Sequence, residues 1–143
     1  VFAEVGDVDT AATVLTLESG ALAVVSNSRY NGRGHDVRLE VHGSQDSVGA
    51  GIDGGWPIRS MQPGVDFPSG QPHHFFMDRF ADAFRRELVA FTGVVAGEQE
   101  SPCTVNDGLE ASWIAEAATR SLVEQRVVTL EEIRTPLLQH VGS

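Results

Sequence analysis

The segment from Asp9 to Ser44 has the alternation of β-strands and predicts three consecutive antiparallel strands. Thr10–Leu17 is rich in β-branched residues, Gly20 marks a turn, and Ala21–Ser26 is a second apolar run, so these runs predict a hairpin. The third predicted strand is Arg38–His42. Both faces of the predicted hairpin are rather apolar. We therefore expect helices to cover one face and a partner subunit to cover the other.

A stripe of large apolar residues between Phe75 and Val95 predicts the first helix. Its members recur at steps of three and four, which is the period of an α-helix, so we expect the stripe to lie in the core. Gly97 is expected to end this helix. The stripe consists of Phe76, Phe80, Phe84, Leu88, Phe91 and Val95.

A second helix is expected to begin after Thr104, which forms a capping-box pattern with Asp107, and to run to about Glu124. Arg126–Leu130 predicts a final strand, and residues 131–143 are expected to form a tail. Strands followed by helices indicate an α+β fold: a two-layer sandwich of a mostly antiparallel open sheet with helices on one face. The residues expected to be buried by the second helix are Leu109, Trp113, Ala117 and Leu122.

The region between the third strand and the first helix has a weaker pattern. Ser47–Ala50 predicts a short return strand, and residues 49–70, rich in glycine and proline, predict an irregular excursion with spaced apolar anchors. Gly49–Gly54 matches the GxGxxG pattern of dinucleotide loops. Because no helical period follows until Phe75, we do not interpret it as a nucleotide site.

Composition excludes several classes of function. The net charge of −10, without a basic cluster, argues against nucleic acid and anionic membranes as partners. All ten basic residues are arginine, so lysine chemistry is excluded, and the single Cys103 excludes an internal disulfide. We expect no metal site. The sequence has no long apolar run and no signal peptide, so we expect a soluble, cytoplasmic protein. It begins at Val1, so we expect it to be part of a longer protein.

The loop from Ser28 to Asp36 is the strongest candidate site. Arg33, His35 and Asp36 lie close together, and the glycines between them permit an unusual backbone. Asp36 is placed to orient His35, and the arginines suit a polar or anionic ligand. The alternative interpretation is a polar hairpin loop whose charges pair with one another. We interpret His73-His74, by contrast, as a polar pair at a helix entry, because no third ligand has metal spacing.

The sequence also resembles the C-terminal domain of the glucose–fructose oxidoreductase/inositol dehydrogenase (Gfo/Idh/MocA) family, most closely myo-inositol 2-dehydrogenases. The resemblance covers nearly the whole chain and is weakest over residues 52–73. It is carried by the order and spacing of short patterns: Asp7-Val8-Asp9-Thr10-Ala11, Glu18-Ser19-Gly20-Ala21-Leu22, Asn27-Ser28-Arg29, Gly34-His35-Asp36 with Arg38, Glu40-Val41-His42-Gly43-Ser44, Phe76 to Phe91, Asn106-Asp107-Gly108, Ala115-Glu116-Ala117, Arg120-Ser121-Leu122 and Val127-Val128-Thr129-Leu130.

The resemblance implies that residues 1–143 form one C-terminal domain that binds substrate and mediates dimers or tetramers through its open sheet. A separate N-terminal Rossmann domain would hold NAD or NADP and a catalytic lysine, with an aspartate and a histidine upstream of Val1. This chain would then contain no catalytic residue and bind no cofactor. The full-length parent would oxidise a cyclic polyol or sugar by hydride transfer.

One pattern departs from the resemblance. Inositol dehydrogenases have Tyr-Gly-Tyr-Asp-Gln-Arg where this chain has Arg33 to Arg38, so Asp36 and Arg38 match while Arg33 and His35 replace tyrosines. The resemblance thus implies substrate contacts by Arg33, His35 and Asp36, and a substrate other than myo-inositol. Two alternatives to a dehydrogenase domain stay open for the whole chain: a non-catalytic α+β ligand-binding or dimerisation module, or a free-standing domain that begins near Val1.

Overall fold

The computed structural model describes residues 2–67 and 70–141, with side-chain surroundings up to residue 135. The chain divides into two compact units, the first ending at Arg86 and the second beginning at Glu87. The first unit contains the described strands, and the second contains the last two helices. None of the helices in the described chain is long and apolar enough to cross a membrane.

A β-hairpin begins the first unit after a short 3₁₀ helix, Ala3–Val5. Strands β1 (Thr10–Thr16) and β2 (Leu22–Ser28) pair antiparallel over their full length. At the turn, the N–H of Gly20 donates to the carbonyl of Leu17 at 2.8 Å. Gly20 has a φ of +82°, a conformation that glycine adopts without strain. The predicted hairpin is confirmed.

A second hairpin joins β3 (Leu39–His42) to β4 (Ser47–Ala50), which confirms the short return strand. The expected pairing of the second and third strands is wrong: in the described chain the two hairpins are separate two-stranded sheets. The loop between them explains the difference. The N–H of His35 donates to the carbonyl of His73 at 2.5 Å, so this loop pairs with a later segment instead of returning along β2.

The connection from residue 51 to residue 75 is irregular where it is described, as predicted. Trp56 is its main anchor. The indole N–H donates to the carbonyl of Gly51 at 3.1 Å, and the ring meets Phe67 edge-on with 5.2 Å between centroids. The N–H of Ser60 donates to the carbonyl of Phe67 at 3.1 Å, which folds the segment back on itself.

The predicted first helix is present but interrupted at one residue. Helices α1 (Phe76–Arg79) and α2 (Ala81–Val95) flank Phe80, which has φ −107° and ψ 15°. The N–H of Phe80 still donates to the carbonyl of Phe76 at 2.8 Å, so the hydrogen-bond ladder continues into the break. Gly97, with a φ of +73°, follows the end of α2, as predicted.

The apolar stripe of these helices does not form a core. Phe80 is half-buried, whereas the other five members are exposed. The ring of Phe84 meets those of Phe76 and Phe80 edge-to-face, with 6.5 Å between centroids in each pair. The expectation that the stripe lies in the core is therefore wrong for the described residues, and the less exposed residues of α2 are Ala90, Gly93 and Val94.

Helix α3 (Val105–Glu124) begins with the predicted capping box: the N–H of Thr104 donates to the Asp107 carboxylate at 2.7 Å, and the N–H of Asp107 donates to the Thr104 hydroxyl at 3.4 Å. The strand expected at Arg126–Leu130 is wrong, because residues 127–129 have no regular structure and helix α4 (Leu130–Val141) follows them. The expected tail is also wrong over residues 131–141, which belong to this helix. The Glu132 carboxylate accepts from the N–H of Thr129 at 3.0 Å, a second capping arrangement that the sequence interpretation overlooked.

Helices α3 and α4 pack against each other through a few apolar side chains. Ala117 and Ile133 are only 8% and 6% exposed, and Trp113 is half-buried beneath the Arg134 guanidinium, which lies 4.9 Å from its ring centroid. Arg134 also pairs with Glu110 of α3. The expected burial of Leu109 and Leu122 is wrong, since both are exposed. The α+β class, with antiparallel strands and helices, is confirmed.

The capping box gives a stability prediction. Thr104→Ala removes a hydroxyl that accepts from a helix N–H, so we expect the free energy of unfolding to fall by about 1 kcal/mol in urea denaturation. Thr119→Ala is the control, because the Thr119 hydroxyl only donates to the Ala115 carbonyl within α3. An equal loss in both variants would contradict a specific capping role.

Candidate functional site

The candidate loop leaves β2 and turns at Asn31. The N–H of Gly34 donates to the Asn31 carbonyl at 3.1 Å, and the N–H of Arg33 donates to its side-chain oxygen at 3.3 Å. Arg33 is exposed at this turn. The loop therefore places a guanidinium, with its five N–H donors, at the surface of the first unit.

His35 is anchored more deeply than its neighbours. Its backbone N–H donates to the His73 carbonyl, and its ring meets Phe80 edge-on with 5.7 Å between centroids and 82° between planes. The ring atom Nε2 is buried, and within the described chain it has no hydrogen-bond partner. A buried polar atom without a partner carries a desolvation penalty, which a ligand hydroxyl that reached it would remove.

Asp36 contacts Arg38 instead of orienting His35. The Nε of Arg38 donates to Asp36 at 3.0 Å, and the guanidinium lies 4.6 Å from the Trp56 ring centroid. The hypothesis that Asp36 orients His35 is therefore not met by the contacts of the described residues.

Arg79 ties the loop to the end of β4, a role that the sequence interpretation missed. Its Nη2 donates to the Val37 carbonyl at 2.9 Å and to the Gly51 carbonyl at 3.2 Å. A Cβ at Gly51 would lie only 2.6 Å from this Nη2, and Gly51 has a φ of +83°. The glycine therefore lets the guanidinium reach two backbone segments at once.

His73 lies between two carboxylates. Its Nδ1 is 2.9 Å from Asp78 of α1, and its Nε2 is 3.1 Å from Asp53 of the irregular segment. A neutral imidazole has only one N–H, so two ring nitrogens facing two carboxylates indicate the protonated form. The sequence interpretation placed His73 at a helix entry with polar packing, but it named neither carboxylate.

Asp53, His73 and Asp78 shift one another's pKa values. The hydrogen bond to Asp78, and next the one to Asp53, hold the pKa of His73 above its ordinary value. The hydrogen bond from His73 lowers the pKa of Asp78 and, with the Gly55 N–H, the pKa of Asp53. Among the described residues, no group of three or more His, Cys, Asp or Glu side chains is arranged to hold a metal ion.

This charge cluster gives a pH prediction. Because the pKa of His73 is raised on folding, its stabilising contribution is complete below about pH 6.5, the ordinary value, and is lost as the pH rises through the folded value. We expect Asp78→Asn to lower the pKa of His73, measured from its ring resonances by NMR. Asp82→Asn on α2 is the control variant, because Asp82 pairs with Arg85 and not with His73, so it should leave the pKa of His73 unchanged. An unchanged His73 pKa in Asp78→Asn would contradict the ion pair.

The Gly49–Gly54 run lacks the geometry of a dinucleotide loop. Gly49 and Ala50 are the last residues of β4, and the described residues 51–67 that follow are turns and irregular backbone, so no helix begins directly after the glycines. A pyrophosphate loop requires a helix that begins directly after the glycines, so that backbone N–H groups meet the phosphates. The Gly49–Gly54 run therefore does not fit the pyrophosphate of a nicotinamide dinucleotide.

Comparisons with known proteins agree with this architecture. Residues 2–130 match a family model described as the oxidoreductase family, C-terminal alpha/beta domain. The chain is 43% identical over 131 residues to the uncharacterized oxidoreductase YrbE of Bacillus subtilis, covering 91% of this chain and 38% of that protein. It is 34% identical over 128 residues to an inositol 2-dehydrogenase of Rhizobium meliloti, covering 89% of this chain and 38% of that protein.

A solved structure agrees as well. The crystal structure of a probable dehydrogenase from Thermotoga maritima is 35% identical to this chain, with a TM-score of 0.78, over 91% of this chain and 39% of that one. The chain thus spans less than half the length of the relatives it matches. Because the family model covers residues 2–130, the chain belongs to the Gfo/Idh/MocA oxidoreductase family and corresponds to its C-terminal α/β domain.

Proposed function

We propose that this chain is the substrate-side domain of a longer NAD- or NADP-dependent dehydrogenase that oxidises a secondary alcohol of a cyclic polyol or sugar. The observation that carries the proposal is the match over 128 residues to a protein named inositol 2-dehydrogenase. The match covers 38% of that relative, so the remaining length of such a protein provides room for a separate cofactor domain.

We place the cofactor outside this chain, because the dinucleotide-like run Gly49–Gly54 ends a strand and is not followed directly by a helix. The cofactor would supply the hydride acceptor. The part of this chain would be to bind and orient the hydroxyl groups of the substrate.

Three side chains of the candidate loop are proposed to bind the substrate hydroxyl groups. The buried Nε2 of His35, without a partner among the described residues, suits a hydroxyl, which both donates and accepts. Asp36, fixed by Arg38, has lone pairs for further donors. Arg33 offers an exposed guanidinium. The full-length protein should therefore reduce NAD or NADP with a member of a panel of cyclic polyols and aldoses.

The first test of the site is His35→Leu in the full-length protein. Leucine keeps an apolar contact near Phe80 but has no ring nitrogen to form the proposed hydrogen bond with a substrate hydroxyl. We therefore expect kcat/KM for the best substrate to fall roughly tenfold. His42→Leu on β3 is the control and should retain activity. Unchanged kinetics in His35→Leu would exclude His35 from the site. Binding of the polyol without turnover in the parental protein would favour a non-catalytic module instead.

We further propose that the β1–β2 hairpin mediates self-association. One face of the hairpin exposes Val14, Leu22 and Val24, and the last is 69% exposed. Val14 and Val24 are cross-strand partners, so the three side chains form a continuous apolar patch on one face. A patch of this kind is typical of a contact between subunits.

Val24→Glu tests this interface. A charge in a dry contact repeated by symmetry should raise the dissociation constant about tenfold or more in sedimentation equilibrium. Val123→Glu on α3 is the matched control, because Val123 is 77% exposed and its replacement should leave association unchanged. A parental chain that sediments as a monomer at high concentration would contradict the proposal.

A further inference from the structure

His73 connects three segments of the first unit. Its ring contacts Asp78 on α1 and Asp53 in the irregular segment, and its backbone N–H donates to the Gly55 carbonyl at 3.2 Å. Its carbonyl accepts the N–H of His35. The residue therefore joins α1, the irregular segment and the candidate loop through different atoms.

The contact between His73 and the loop is close and depends on Gly34. A Cβ at Gly34 would lie 2.2 Å from the His73 carbonyl oxygen, and Gly34 has a φ of +147°. No other residue fits there without moving one of the two segments. A movement of the His73 backbone is therefore transmitted to His35 without an intervening side chain.

The position of His73 also depends on its charge. Asp53 and Asp78 face its ring, and Arg79 is the nearby cation that acts on Asp53. With the proton, the ring donates to both carboxylates. Without it, one nitrogen presents a lone pair to a carboxylate, and two negative charges lie beside an uncharged ring. Loss of the proton must therefore release one of the two contacts.

We propose that His73 is a positioning residue of the substrate site, which holds His35 in place while its imidazolium bridges Asp53 and Asp78. This rests on the proposed function, because His35 is there assigned to the substrate. His73 itself touches no reacting atom. Its deprotonation loosens the bridge, lets the His73 carbonyl move and weakens substrate binding, while the chemical step in the bound complex continues.

The first experiment follows histidine resonances of the full-length protein by NMR and requires no substrate. In the parental protein, the amide and ring signals of His35 should show an inflection at the pKa of His73. His73→Gln should abolish that inflection. His74→Gln is the matched control, because His74 contacts Asp78 through its backbone N–H, and it should retain the inflection. His35 signals that ignore the titration of His73 would overturn the proposal.

The second experiment measures KM and kcat against pH with the substrate found in the panel. The KM of the parental protein should rise roughly two- to tenfold as His73 loses its proton, with kcat nearly constant. Asp78→Asn should move this rise to lower pH, and His73→Gln should remove it. A rise that persists in His73→Gln would overturn the proposal.

Gly34→Ala provides a variant that leaves the ring and both carboxylates intact. It separates the two backbones, so His73 should still titrate with a raised pKa while the inflection in the His35 signals disappears. If no polyol is oxidised but the inflection is present, the proposed function fails and the coupling stands. If a polyol is oxidised and the inflection is absent, the coupling fails alone.

Discussion

The ring of His73 between Asp53 and Asp78 is the interaction that joins the irregular part of the first unit to α1, alongside the Trp56 anchor within that part. The described residues between β4 and α1 form only a few backbone hydrogen bonds, such as those from Ser60 to Phe67 and from His73 to Gly55, so side chains also help to fix their course. Arg79, the last residue of α1, also connects separate segments, because its guanidinium donates to the carbonyls of Val37 and Gly51. The four-residue helix α1 therefore contacts the candidate loop, the end of β4 and the segment that leads into α1.

Local patterns were predictable because neighbouring residues determine them. The β1–β2 hairpin, the capping box of Thr104 and the glycine after α2 all follow from residues within a few positions. Arg126–Leu130 shows the weakness of short windows, since its β-branched residues suggest a strand. The hydrogen bond of Thr129 with Glu132 starts a helix there instead. Capping chemistry outweighed intrinsic propensity.

Long-range partners were not predictable. The aromatic stripe of α1 and α2 has helical period, yet burial depends on what is packed against a helix, and most of the stripe is exposed. Arg79 stood among the polar residues of the helix, with nothing in the sequence to indicate that it reaches Val37 and Gly51. His73 likewise finds Asp53 20 positions away. Such contacts follow from the path of the chain.

Separate contacts account for the division of roles in the candidate loop. The N–H of His35 donates to the His73 carbonyl, and the carbonyl of Val37 accepts from Arg79. Asp36, between them, accepts from Arg38, whose guanidinium lies over the Trp56 ring. Two backbone contacts two residues apart fix both the position and the rotation of this segment. The side chain of His35 is thus oriented by its backbone, which frees Asp36 from the orienting role that proximity in sequence suggested.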